Sequence, residues 1–183
     1  MNLSALPNII TTLRLLAVPP VAWLLLHAHY QEALWLTVIA GLSDLLDGFL
    51  AKRFGWTSRF GSIADPLADK LLMLVSFACM AWQGLLPWWL WFLTLLRDLV
   101  IVSGGVAYHY LVEPLTAEPS YAGKVNTTLQ IILLIAILVN AGFSPVSEVV
   151  LSYVFAAVAT LTVYTLAEYV WTWGFRAHER WPR

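Results

Sequence analysis

Charge is scarce in this chain of 183 residues, since only 11% of them are Asp, Glu, Lys or Arg while 60% are hydrophobic. A soluble domain carries about 25% charged residues. The ten basic residues are dispersed along the sequence, so they form no basic face for nucleic acid. The composition therefore predicts an integral membrane protein.

Cysteine and clustered histidine are also lacking. The single cysteine, Cys79, excludes a disulfide framework and a cysteine metal site. The four histidines are scattered over different predicted turns, with only His27 and His29 near each other, which argues against a histidine metal cluster. They are His27, His29, His109 and His178.

The apolar runs divide the chain into six segments of the length that a membrane-spanning helix needs. The predicted spans are roughly 8–28, 31–53, 63–83, 87–109, 125–142 and 147–173. The breaks between them fall at 27–32, 55–61, 83–87, 111–124 and 140–148. The sequence therefore predicts an all-α polytopic membrane protein with six transmembrane helices and a single domain over residues 1–183.

Basic residues collect at alternate turns of the predicted topology, which indicates its orientation because cytoplasmic flanks are rich in lysine and arginine. They are Lys52, Arg53, Arg59, Lys70, Lys124, Arg176, Arg180 and Arg183. Both termini and the segment from Ser43 to Lys70 are therefore predicted to be cytoplasmic.

Four aspartates lie within that segment, SDLLDGFLAKRFGWTSRFGSIADPLADK. At about 100° per residue, Asp44 and Asp47 share a helical stripe with the small residues Gly48, Ala51 and Gly55. Asp65 and Asp69, four residues apart, share a face of the next helix. One interpretation is that the carboxylates pair with nearby basic side chains at the membrane edge. The other is a site for two divalent cations, which would suit phosphoryl chemistry.

The spacing of these residues resembles the signature of the CDP-alcohol phosphatidyltransferases, D-x-x-D-G-x-x-A-R, eight residues, then G-x-x-x-D-x-x-x-D. The first half matches at Asp44, Asp47, Gly48 and Ala51, and the second half matches at Gly61, Asp65 and Asp69. Lys52 stands where the family has arginine. Lysine binds phosphate as a point charge, without the planar fork of arginine.

The resemblance implies transfer of a phosphatidyl group from CDP-diacylglycerol to an alcohol with release of CMP. It implies two Mg²⁺ or Mn²⁺ ions held by Asp44, Asp47, Asp65 and Asp69, with Asp69 as the general base. It also implies a homodimer. The short chain suits a bacterial inner membrane, with the active site facing the cytoplasm. The nucleotide site implied by the family comprises Asp44, Gly48, Ala51, Lys52, Gly61 and Asp65.

The acceptor alcohol is predicted from other polar residues in apolar segments. The candidates for contacting the acceptor or its phosphate are Arg14, Arg97, Lys124 and Asn126. Asn126 matches the asparagine in the S-K-x-N-T-x-x-Q segment of CMP-forming cardiolipin synthases, and this resemblance favours phosphatidylglycerol as the acceptor. Gly123 matches the glycine in the corresponding segment of phosphatidylglycerophosphate synthases, which use glycerol 3-phosphate. An alternative for Arg97 is a structural pair with Asp98.

Two other classes of function are open to such a chain. An ion channel or transporter would distribute its carboxylates along a pore, whereas these cluster at one end of the spans. A catalytically silent scaffold would be consistent with the loss of the motif arginine at Lys52, although the four aspartates are kept.

Overall fold

A computed structural model describes residues 6–54, 59–111 and 120–180. Within these ranges the chain forms six helices and is all-α, as the sequence predicts. They are α1 (Leu6–Leu26), α2 (Tyr30–Phe54), α3 (Arg59–Trp82), α4 (Trp88–Leu111), α5 (Tyr121–Gly142) and α6 (Glu148–Arg180).

The helix ends differ most from the predicted spans in three places. α3 begins at Arg59 and α5 at Tyr121, so residues assigned to connecting segments belong to first helical turns. α6 continues to Arg180, beyond the predicted end at 173. The predictions placed a helix end wherever apolar residues stopped. A helix can continue past that point, because its backbone hydrogen bonds do not require apolar side chains.

Three helices are long and apolar enough to cross a membrane among the residues described, namely Trp88–Val106, Tyr121–Gly142 and Glu148–Thr172. Ile10–Leu26 is apolar but shorter. α2 and α3 have the length, but they carry the aspartates and their neighbouring basic residues. The described residues thus form a helical protein with three long apolar helices, and the full set of six transmembrane spans stays a prediction.

The chain divides into two compact units. The first contains residues 1–86 and 135–145, and in it α1 packs against both α2 and α3. The second contains residues 87–134 and 146–183, and in it α4 packs against α6. α5 contributes residues to both units. The prediction of a single domain over 1–183 remains untested by this division.

The first unit is joined at its helix ends by specific hydrogen bonds. Ala28, two residues beyond the end of α1, has a φ of 60°, and the His29 N–H donates to the Leu24 carbonyl at 2.9 Å. The side-chain amide of Gln83 donates to the carbonyls of Leu25 (3.0 Å) and Leu26 (2.7 Å), which satisfies the last turn of α1. The residue that follows α3 is therefore hydrogen-bonded to the last turn of α1.

Candidate active site

Two buried polar side chains of α1 contact the two motif aspartates of α3. The Thr11 hydroxyl donates to Oδ1 of Asp65. Nη1 of Arg14 donates to Oδ1 of Asp69 at 3.0 Å, and the same atoms form an ion pair. Thr11 and Arg14 are three residues apart, and Asp65 and Asp69 are four apart. Two successive turns of α1 therefore contact two successive turns of α3. Both carboxylates therefore lie on the face of α3 that packs against α1.

Burial is unequal across the Arg14–Asp69 pair. The Arg14 side chain is 1% exposed, whereas that of Asp69 is 49% exposed. A buried guanidinium is held in one orientation by its surroundings, and it can fix the carboxylate that it binds. Asp69 is thus anchored on one side and accessible on the other, which is the arrangement that a base acting on a substrate hydroxyl requires.

The first half of the motif lies on α2. Asp44, Asp47, Gly48, Ala51 and Lys52 all fall within this helix, and Gly61 falls within the first turn of α3. The side chains and exposure of these residues lie outside what the structure describes, as does Gly55. The predicted cation site formed by Asp44 and Asp47 together with Asp65 and Asp69 therefore stays a prediction.

The donor chemistry of α3 suits a hard divalent cation, because carboxylate oxygens are the ligands that Mg²⁺ and Mn²⁺ prefer. The exposed half of Asp69 leaves room for such an ion beside the Arg14 contact. Among the described side chains, which do not include those of Asp44 and Asp47, no group of three or more His, Cys, Asp or Glu residues could hold a metal ion. Asp65 and Asp69 thus fit part of a two-cation site.

The second unit contains a polar cluster on α4, α5 and α6. Arg97 of α4 is 4% exposed and binds Asp98 through Nη1 and Oδ1 at 2.7 Å, the pair that the sequence allowed as an alternative. Asn126 of α5 is fully buried, and its Oδ1 accepts a hydrogen bond from the Thr162 hydroxyl of α6 at 3.1 Å. Lys124 is exposed. Three of the predicted acceptor residues therefore belong to this unit.

Arg14, the fourth predicted acceptor residue, has a partner that spacing along the chain did not indicate. The sequence predicts contact with an acceptor or phosphate, and the structure pairs its guanidinium with Asp69. Thr11 and Thr162 were missed altogether as polar partners. The sequence does contain a signal for Thr11, because Thr11 and Arg14 share one face of a largely apolar helix.

Thr11→Val should lower the free energy of unfolding by about 1–3 kcal/mol, because it leaves the Asp65 carboxylate without its buried donor. Thr37→Val is the matched control. Thr37 is also a buried threonine of the first unit, and its hydroxyl has no hydrogen-bond partner among the residues described. Valine there should be neutral or stabilising. Thermal unfolding in detergent compares the two, and equal losses would contradict a specific role for the Thr11 contact.

Comparisons with known proteins agree with the motif. Residues 4–168 match the model of a family described as CDP-alcohol phosphatidyltransferase. A cardiolipin synthase (CMP-forming) from Rattus norvegicus is 29% identical over 180 residues, covering 90% of this chain and 60% of the relative.

Bacterial relatives carry both kinds of name. A CDP-diacylglycerol–glycerol-3-phosphate 3-phosphatidyltransferase from Aquifex aeolicus is 35% identical over 66% of this chain and 68% of its own length. A cardiolipin synthase (CMP-forming) from Streptomyces coelicolor is 33% identical over 67% of this chain and 59% of its own length. The chain thus spans about 60% of the length of the rat and Streptomyces relatives, and similarity alone does not choose between the two names.

Proposed function

Because the chain belongs to the CDP-alcohol phosphatidyltransferase family, we propose that it transfers the phosphatidyl group of CDP-diacylglycerol to an alcohol and releases CMP. The observation that carries this proposal is the contact of Thr11 and Arg14 with Asp65 and Asp69. Burying a guanidinium in an apolar helix is costly, and here it anchors a half-exposed carboxylate. That carboxylate belongs to the motif.

In the proposed reaction, the acceptor hydroxyl gives its proton to the Asp69 carboxylate. The alkoxide oxygen attacks the phosphorus bonded to diacylglycerol, and the bond from that phosphorus to the oxygen of CMP breaks. Arg14 keeps the Asp69 carboxylate in position throughout. Thr11 does the same for Asp65. The residues therefore act mainly by positioning and electrostatics.

Asp44, Asp47, Asp65 and Asp69 would hold the two divalent cations, Mg²⁺ or Mn²⁺. When bound, such ions stabilise negative charge on the attacking and leaving oxygens of a phosphoryl transfer. By the family resemblance, Asp44, Gly48, Ala51, Lys52, Gly61 and Asp65 would bind the cytidine diphosphate. The acyl chains would remain in the bilayer.

We favour phosphatidylglycerol as the acceptor, with glycerol 3-phosphate as the alternative. Asn126 is uncharged and fully buried, and Thr162 holds its amide. A dianionic acceptor would gain from a second cation at such a low-dielectric position, whereas the headgroup of a lipid carries one charge fewer. Arg97, Lys124 and Asn126 are the proposed acceptor residues, while the contact of Arg14 with Asp69 favours a positioning role for that arginine.

We further propose that all six helices are associated with the membrane as spans, that the motif end faces the cytoplasm and that the chain forms a homodimer. The apolar faces of α4, α5 and α6 support the membrane location. The basic residues flanking α2 and α3 support the orientation. A bacterial inner membrane is the proposed setting.

The experiment that tests the function is an assay of the purified protein in lipid vesicles with CDP-diacylglycerol and Mg²⁺ or Mn²⁺. Phosphatidylglycerol and glycerol 3-phosphate are supplied in separate reactions, and mass spectrometry identifies the lipid product. We expect cardiolipin and CMP. Phosphatidylglycerophosphate would keep the reaction class and overturn the acceptor, while a failure to release CMP with either acceptor would contradict phosphatidyl transfer to both.

A further inference from the structure

The buried guanidinium of Arg97 lies against the first turn of α5. Its Nη1 binds Asp98, and its Nη2 faces Gly123. A Cβ atom built on Gly123 would come within 3.2 Å of that Nη2 and within 3.3 Å of the Ser120 hydroxyl oxygen, distances tighter than nine in ten real Cβ contacts. Nε of Arg97 has no hydrogen-bond partner among the described residues. The guanidinium is therefore confined on one side and retains an unused donor.

The backbone at Gly123 is held firmly. Ser120 caps α5, since its hydroxyl accepts from the Gly123 N–H at 3.1 Å and donates to Glu168 Oε2 at 3.2 Å. The Ser120 N–H donates to the Tyr169 hydroxyl at 3.2 Å. Two consecutive residues of α6 thus bind the start of α5, so this turn cannot move away from Arg97 without losing hydrogen bonds.

We propose that Gly123 is a positioning residue for Arg97, and that its missing side chain decides where the guanidinium lies. The inference rests on the proposed function, in which Arg97 binds the phosphate of the acceptor. That phosphate is the diester of phosphatidylglycerol or the monoester of glycerol 3-phosphate. Guanidinium and phosphate bind through directed, paired hydrogen bonds, so displacing Arg97 weakens acceptor binding.

A double-mutant cycle tests the contact without requiring activity. Gly123→Ala, Arg97→Met and the double variant are compared by thermal unfolding in detergent. Gly41→Ala is the matched control, because Gly41 is also helical and a Cβ there meets nothing within 4 Å. Alanine is the better helix former, so Gly41→Ala should keep or raise the unfolding temperature, whereas Gly123→Ala should lower it.

The flexible methionine side chain removes the crowding by the guanidinium and leaves that by the Ser120 hydroxyl, so Gly123→Ala should cost less in the Arg97→Met background than in the wild type. If Gly123→Ala alone fails to fold, folding of the double variant supports the proposal. The same loss of unfolding temperature in both backgrounds, or failure of both variants to fold, would overturn it.

Kinetics then test the positioning role with each of the two acceptors. Gly123→Ala should raise the acceptor KM about tenfold, the loss expected from misplacing one charge-assisted hydrogen bond, and leave kcat and the KM of CDP-diacylglycerol near wild type. Tyr169→Phe, which removes a bond to the same turn, should shift the acceptor KM in the same direction. An unchanged acceptor KM in Gly123→Ala would overturn the role. If the wild type releases no CMP, the proposed function fails, but the double-mutant cycle still tests the contact between Gly123 and Arg97.

Discussion

Asp69→Asn should lower kcat for phosphatidyl transfer by about a thousandfold, within the range for losing a general base. The amide cannot accept the acceptor proton, and it is a poorer ligand for a hard cation. Most of the affinity for CDP-diacylglycerol should remain, because the other motif residues are intact. Turnover is measured as CMP release, and affinity by equilibrium binding of the labelled nucleotide lipid.

The matched control for that variant is Glu32→Gln, the same change of carboxylate to amide. Glu32 is in the first turn of α2, and its side chain is 60% exposed. Its activity should be that of the wild type. Wild-type turnover in Asp69→Asn would remove Asp69 as the base, and loss of both turnover and nucleotide binding would assign it chiefly to substrate or metal binding.

Arg14→Met should lower kcat by about 10- to 100-fold, because a small displacement of a catalytic group has effects of this size. The variant removes the guanidinium that binds Asp69 at 3.0 Å, and methionine fills part of the volume. Half of the Asp69 side chain is exposed, so solvent can hydrate the carboxylate left behind and the protein should still fold. Arg14→Lys should recover part of the activity.

The division between kcat and KM decides what Arg14 does. A positioning role predicts that kcat falls and the acceptor KM changes little. A rise in acceptor KM with unchanged kcat would contradict that role and support the phosphate contact that the sequence suggested. Leu13→Met is the control, since Leu13 is the exposed neighbour on α1 and its change should affect neither constant.

The helices were largely predictable from the sequence, because long apolar runs interrupted by polar turns specify where a chain can span a membrane. The boundaries were less so. Arg59 opens α3 and Arg180 closes α6, and a helix end that lies at a charged residue is not marked by apolar periodicity. Packing partners such as Gln83 with the end of α1 depend on three-dimensional proximity.

The candidate site was predictable where residues of the same type recur on one face of a single helix. Asp65 and Asp69 share a face by their spacing of four, and α1 contacts both. The partner of each was not predictable, because Thr11 and Arg14 are more than fifty residues away along the chain. The role of Gly123 was not predictable for the same reason, since it depends on the short distance between this glycine and Arg97 in the folded chain.

The proposed phosphatidyl transfer is tested most directly by labelling the phosphorus atom that is bonded to diacylglycerol and locating the label after the reaction. CDP-diacylglycerol labelled at that atom is incubated in vesicles with the protein, Mg²⁺ and phosphatidylglycerol, and lipid and aqueous fractions are separated. We expect the label to enter a new phospholipid while an equal amount of unlabelled CMP is released. Recovery of all the label in unchanged CDP-diacylglycerol, or its appearance in the aqueous fraction, would contradict phosphatidyl transfer to phosphatidylglycerol.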